Sequence, residues 1–324
     1  MSIFALAALS LGGTVRLATL VPKDSSFDKS LKRMGQSWRE ATDGEDRLLV
    51  YASGQQGSES AMIKKMEINR LHAALLSGVG LAEIDQSIAV LQQVPLLYRN
   101  YDELEHVMEK MAPVFEERIQ AKGFVVLGWL DTGWVRIFSK NKLLTPDDMR
   151  KSKLFTWAGD APQTSMLKKM GFRPVPIEST EINSSMSTGL IDTVPMPPFY
   201  ALASQIYNPA PYMLDFNYAP MVGAVIVNKK TWDGYTPDQQ SKIRAAAEEA
   251  ALEMKESGRA ESVESIRVMR DDWNLKVSAL TPETREQWQA ISKEAYVHIR
   301  DNTVPADIWD KVVAILEEYR ATKG

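Results

Sequence analysis

Cysteine is absent from this chain of 324 residues. That excludes disulfides, thiolate catalysis and cysteine-ligated zinc together. Histidine is nearly absent: His72, His106 and His298 are the only three, and no pair stands at the spacing of an HExxH zinc helix. Each therefore reads as a structural or surface residue. Basic excess is also missing. Lys and Arg number 38 against 42 Asp and Glu, a net charge of −4, which argues against a nucleic-acid partner. No block of like charges suggests a polybasic membrane anchor, and no internal repeat or low-complexity tract interrupts the chain. No apolar run reaches the roughly 20 residues needed to span a bilayer.

What is present is an ordinary globular composition, 44% hydrophobic and 25% charged, at a length that suits two domains. The apolar run Ile3 to Leu11, ending in small residues, resembles the hydrophobic core of a secretory signal with cleavage near Gly12 to Thr14. It lacks the usual basic start, so a buried strand or helix is the other reading.

Strand patterns alternate with helical ones. Val15–Val21, Arg47–Ser53 and His72–Gly80 read as strands. Helices are expected from Ser25 or Ser26 to Thr42, with Phe27, Leu31, Met34 and Trp38 at helical spacing, and from Glu59 to Ile68. A helix over Asp102–Lys122 precedes strands at Phe124–Leu130 and Trp134–Ser139. Residues 153–198 repeat the strand–helix–strand–helix–strand order, and Gly223–Asn228 returns as a strand. Such alternation indicates parallel α/β sheets. From Thr236, whose TPDQ is a capping box, nearly everything is helical: Pro237 to about Trp273 as one long helix, then Pro282–His298 and Pro305–Ala321.

Catalytic signatures fail one by one. There is no GxSxG elbow. The turn GQQGSES lacks the lysine of a phosphate loop, and Gly78-Val79-Gly80 is half a dinucleotide fingerprint. Glu116-Glu117 and Glu248-Glu249 sit among lysines on helices and read as solvated faces. Asp131, Asp160 and Asp192 end predicted strands, where ligands of open α/β sheets bind, but no spacing joins them into a metal site. The residues favour a binder, with no cofactor or metal, over an enzyme.

Taken in order, VRLATLVPKDSSF, YASGQQGSE, VPLLY, GWLDTGWVRIFS, TPDDMRKSKLFTW, MGFRPVPI and STGLIDTVPMPP resemble the DctP-type solute receptors of TRAP (tripartite ATP-independent periplasmic) transporters. The resemblance implies a periplasmic-binding-protein-like α/β fold, with two lobes that close on a ligand by a hinge and a long helix spanning both. It also implies a periplasmic location and delivery of the ligand to a membrane permease. On that pattern residues 14–134 plus 224–255 form the first lobe, 135–223 plus 256–324 the second, and 1–13 a signal remnant.

This chain departs from the family at three polar positions. Phe155 stands where the family carries a carboxylate-binding arginine, Val135 at the slot of a second guanidinium, and Met196 at that of an amide. Buried without a cation, a carboxylate bears an uncompensated desolvation cost of several kcal/mol. An apolar ligand is therefore expected, with Phe155, Trp157, Val135, Met196, Trp129, Trp134, Phe199 and Tyr200 as candidate walls and Asp131, Gln93 or Asp160 as orienting groups. For the aromatics, a plain core role is the competing reading. Similarity to the branch that works with a separate TPR-type periplasmic protein would add a further partner. Arg136 neighbours Val135, but strand neighbours point to opposite faces. A register error of one would bring it into the pocket as the cation of an organic-acid receptor. A hydrolase or lyase on the same scaffold is the alternative of another class.

Overall fold

A computed structural model describes residues 13–323, so the apolar N-terminal run lies outside the described residues. The described residues begin with β1 (Thr14–Thr19), β2 (Arg47–Tyr51) and β3 (Ala73–Ser77), each followed by a helix, and β4 (Phe124–Trp134) comes after the helix Tyr101–Ala121. It then builds β5 (Arg136–Ser139), β6 (Lys153–Trp157), β7 (Arg173–Ile177), β8 (Thr193–Met196) and β9 (Tyr212–Asp215). Finally β10 (Pro220–Asn228) returns to the first sheet and β11 (Lys276–Ala279) to the second.

Two sheets result. The first has the order β2-β1-β3-β10-β4 and the second β11-β9-β5-β8-β6-β7. β1 pairs in parallel with β2 and β3, and β6 with β7 and β8, as strand–helix–strand units require. β10 runs antiparallel to both β3 and β4. The fold is the two-lobed α/β arrangement expected from the sequence.

The chain changes sheet at Val135. β4 is longer than its hydropathy suggested, continuing through Gly133 (φ +104°) to Trp134, and β5 begins only at Arg136. The amide of Val135 donates to Ala219 O at 2.8 Å, and the amide of Tyr218 donates to Val135 O at 3.3 Å. The outgoing and returning segments thus cross between lobes as one hydrogen-bonded ribbon. Neither β9 nor β11 was expected, because each is only four residues long. Such runs carry too little alternation to stand out.

The long helix runs from Pro237 to Trp273 as the sequence implied. Thr236 and Gln239 form the capping box, and Asn274 ends the helix at φ 57°. Its buried stripe is mostly small: Ala246, Ala247, Ala250, Ala251 and Gly258. Small residues allow contact distances that larger ones would forbid. A Cβ on Gly128 of β4 would stand 3.0 Å from Ala247 O, and one on Gly258 only 2.8 Å from the Phe27 ring. Asp131 fastens the same interface, taking two hydrogen bonds from Arg259 at 2.9 and 2.7 Å. The guanidinium lies over the Tyr101 ring at 3.8 Å and also meets Glu105.

The C-terminal helices meet both lobes. Pro282–Ile299 packs on the helices of residues 146–151 and 161–169, while Ala306–Lys323 packs on Tyr101–Ala121, where Arg320 holds Glu103 at 2.8 and 2.7 Å. The boundary at residue 256 therefore assigns to the second lobe alone a segment that the first lobe shares.

Replacing Asp131 by Asn is expected to lower stability by about 2–4 kcal/mol, since it leaves Arg259 half-buried beside a neutral partner. Urea unfolding measures this, and a change below 0.5 kcal/mol, within the range of ordinary surface substitutions, would remove Asp131 from the brace.

Candidate functional site

Between the lobes lies a cleft of about 420 Å³, walled by the carboxyl ends of parallel strands from both sheets. From the first lobe come the end of β1 (Thr19 to Pro22), the end of β3 (Leu75 to Ser77), Glu59 and Gln92. The second lobe supplies Phe155 and Trp157 on β6, the turn Ser179 to Asn183, the end of β8 (Pro195 to Pro197), and Tyr200. At the mouth the lobes touch. A Cβ on Gly54 would stand 3.1 Å from Thr180 Cγ2, and one on Gly159 would stand 2.6 Å from Glu83 Oε1. This is a closed arrangement, with room for a small molecule.

Five candidates from the sequence meet here: Val135, Phe155, Trp157, Met196 and Tyr200. Phe155 and Trp157 share a face because they stand two apart on one strand, and their rings pack edge to face at 5.6 Å. Phe199 lies just behind, stacked at 5.2 Å on Phe27, which itself lines the cleft. The other six lie elsewhere. Trp129 turns away on β4 and donates its ring N–H to Glu116 at 3.0 Å. Trp134 is buried against Tyr101, and Asp131 is committed to Arg259. Asp160 caps the helix Ala161–Lys169, accepting from Gln163 N at 2.9 Å, while its Oδ2 is buried without a partner. Burial raises its pKa to about 6; the Gln163 amide opposes this, and the charge of Glu83 across the lobe contact adds to it.

Gln93 is buried outside the cleft, and its neighbour Gln92 takes the role. Gln92 Oε1 accepts from Gly78 N at 3.1 Å and Val222 N at 3.2 Å, tying β10 to the end of β3 at the cleft floor. The sequence reading missed by one position in a short helical turn, where hydropathy does not separate adjacent glutamines.

Arg136 does not line the cleft. Its Nε donates to Asp215 at 2.7 Å on the far side of the strand, and its Nη1 is buried without a hydrogen-bond partner. The register that puts Val135 inside holds, so the pocket position expected of Arg136 under a one-residue slip is corrected. Among the described lining residues there is no Arg, Lys or His.

The charge in the cleft is an acid that the sequence reading passed over. Glu59, 3% exposed, accepts from the Ser77 amide at 2.5 Å and the Ser77 hydroxyl at 2.6 Å. A Cβ on Gly80 would fall 2.6 Å from its Oε2, so the glycine makes room for the carboxyl. Burial pushes its pKa up to about 7, against the opposing Ser77 hydrogen bonds. Tyr200 faces it from the other lobe: burial, then the charge of Glu59, raises the phenol well above its ordinary value. The signal was legible in principle, a lone Glu opening a helix after a Gly-rich turn, but solvated helix starts look the same.

His72 is structural, as its place in the sequence suggested: its Nδ1 accepts from the Arg16 amide at 2.9 Å.

Fold and cleft define a two-lobed solute-binding protein. The family model for DctP, bacterial extracellular solute-binding protein family 7, matches residues 17–302. The chain belongs to this family, whose members bind solutes and are not enzymes. The C4-dicarboxylate-binding periplasmic protein DctP of Rhodobacter capsulatus is 21% identical over 86% of this chain and 83% of its own length. A TRAP periplasmic solute-binding protein from Xanthobacter autotrophicus Py2 with bound β-D-galacturonate superposes with a TM-score of 0.85 at 19% identity, covering 94% of this chain and 99% of that one. Another, from Sulfurospirillum deleyianum with bound succinate, gives 0.84 at 20% identity with the same coverage.

The pH response of Glu59 follows from its direction of shift. Its pKa rises from 4.5 unfolded to about 7 folded, so its stabilising contribution is complete below pH 4.5, falls as pH rises, and is lost above about 7. Relative to Glu59→Gln, the wild-type protein should lose up to roughly 3 kcal/mol between these limits in urea unfolding at stepped pH. A pH-independent difference would place the titration elsewhere.

Proposed function

We propose that the chain is the periplasmic receptor of a TRAP transporter, capturing a small and largely apolar molecule between its lobes and presenting the closed form to a membrane permease. One observation carries the ligand class: a closed cleft walled by Phe155, Trp157, Val135 and Met196, with one acid, Glu59, and no cation among its described lining residues. Small-molecule sites are commonly apolar with a few placed polar groups. In this reading Glu59, Tyr200 and Asn183, all on the cleft wall, orient a ligand's donors. Ligand contacts to both lobes favour the closed state over the open one, which is how occupancy becomes a signal to the permease. With an apolar cargo, a TPR-type periplasmic protein is a further expected partner, by the family resemblance alone.

A second reading is an organic-acid receptor, favoured by the acids bound to the relatives. Arg136, held by Asp215, does not supply the cation from its present position. An acid would instead share a proton with Glu59, whose pKa near 7 lets it donate when protonated.

Mass spectrometry of small molecules released from the denatured protein separates the two. An apolar compound in stoichiometric amount supports the first reading, and a stoichiometric dicarboxylate or sugar acid overturns it. Phe155→Arg is expected to weaken the apolar ligand about tenfold or more by placing a charge against it, and under the second reading to tighten the acid. Calorimetry with the recovered compound reads the sign. Unchanged affinity in a folded variant would return Phe155 to the core.

A further inference from the structure

Behind the crossing ribbon lies a second cavity of about 560 Å³. Its walls come from both halves of the molecule: residues 96–99 and Arg320 on one side, and Asp215 to Asn217, Leu280 and the helix Pro282–Ile299 on the other. That helix turns Arg285, Gln289 and Lys293 toward it, spaced i, i+4, i+8 on one face. Phe216 and Tyr296 provide an apolar floor.

Basic side chains outnumber acidic ones on the wall of this cavity. Four basic side chains line it: Arg99, Arg285, Lys293 and Arg320. Asp215, the acid on the described wall, is taken by Arg136 at 2.7 Å, and Glu317 acts on Arg320 through its charge. Glu103 binds Arg320 through two hydrogen bonds and leaves Arg99 at 4.0 Å. Arg285 and Lys293 have no carboxylate within 4.0 Å among the described residues. The chain as a whole has a net charge of −4, yet four cations converge on this cavity. It is also the opposite of the cleft, which holds an acid and no base. Like charges gathered around a concave wall repel one another, and a bound anion relieves that repulsion.

We infer that this cavity is a second ligand site, selective for a small polyanion bearing carboxylate or phosphate groups. The planar fork of Arg285 suits two oxygens of one group, while Lys293 acts as a point charge and Gln289 as a neutral donor. The site is separate from the cleft and does not depend on what the cleft carries.

Calorimetric titration of citrate, and separately of inorganic phosphate, into the full chain at low ionic strength tests this. Saturable binding of one anion per chain is expected for at least one of the two, and the pair shows which oxyanion the cavity prefers. Arg285→Ala combined with Lys293→Ala should weaken that binding about tenfold or more; both positions are exposed, so the fold is retained. Ala203→Trp, which fills the cleft from an exposed position, should leave it unchanged. Absence of saturable binding with both anions, undiminished binding in the double variant, or loss of binding in Ala203→Trp would each overturn the site.

Discussion

Everything in this molecule depends on the chain crossing between its sheets as a paired ribbon. Val135 and Ala219 share a 2.8 Å hydrogen bond at the point where β4 leaves the first sheet and the chain returns toward β10. Because β10 sits between β3 and β4, the two halves are knitted together in the middle of a sheet rather than joined at its edge. The ends of β1, β3, β6 and β8 then face one another across a gap, and the ligand cleft is that gap. A few residues of ribbon can change their dihedrals while both sheets stay rigid, which is the arrangement hinge closure requires.

The long helix is the second constraint, and its sequence shows why it can brace both lobes. A stripe of alanine and glycine brings its backbone within contact of β4, and large side chains there would force the two apart. The ion pair of Asp131 with Arg259 lies along the same contact. An aspartate at the end of a strand suggested a ligand group, yet its charge is spent on architecture.

Charge distribution separates the two concave surfaces. In the cleft, a buried carboxyl is kept near neutrality by burial while serine hydrogen bonds hold it in place, and the walls are aromatic and aliphatic. Behind the ribbon, guanidinium and ammonium groups converge, and Arg285 and Lys293 among them have no ion-pair partner among the described residues. Arg136 lies between the two surfaces and is committed to Asp215.

Residue order alone determined the alternation of strands and helices, the cap at Thr236, the length of the helix from Pro237, and the shared face of Phe155 and Trp157. These rest on local periodicity and on hydrogen bonds within a few residues, so they are legible in the chain itself. The order of motifs also carried the family resemblance. Only the tertiary structure decided that Gln92 rather than Gln93 reaches the floor, that Asp131 is structural, that Glu59 is the buried acid, and that the last helix returns to the first lobe. Each depends on partners dozens to hundreds of positions away: Val222 for Gln92, Arg259 for Asp131, Tyr200 for Glu59, and Glu103 for Arg320. A side chain's burial and charge are set by such partners, and no local pattern encodes which of them the fold will bring within reach.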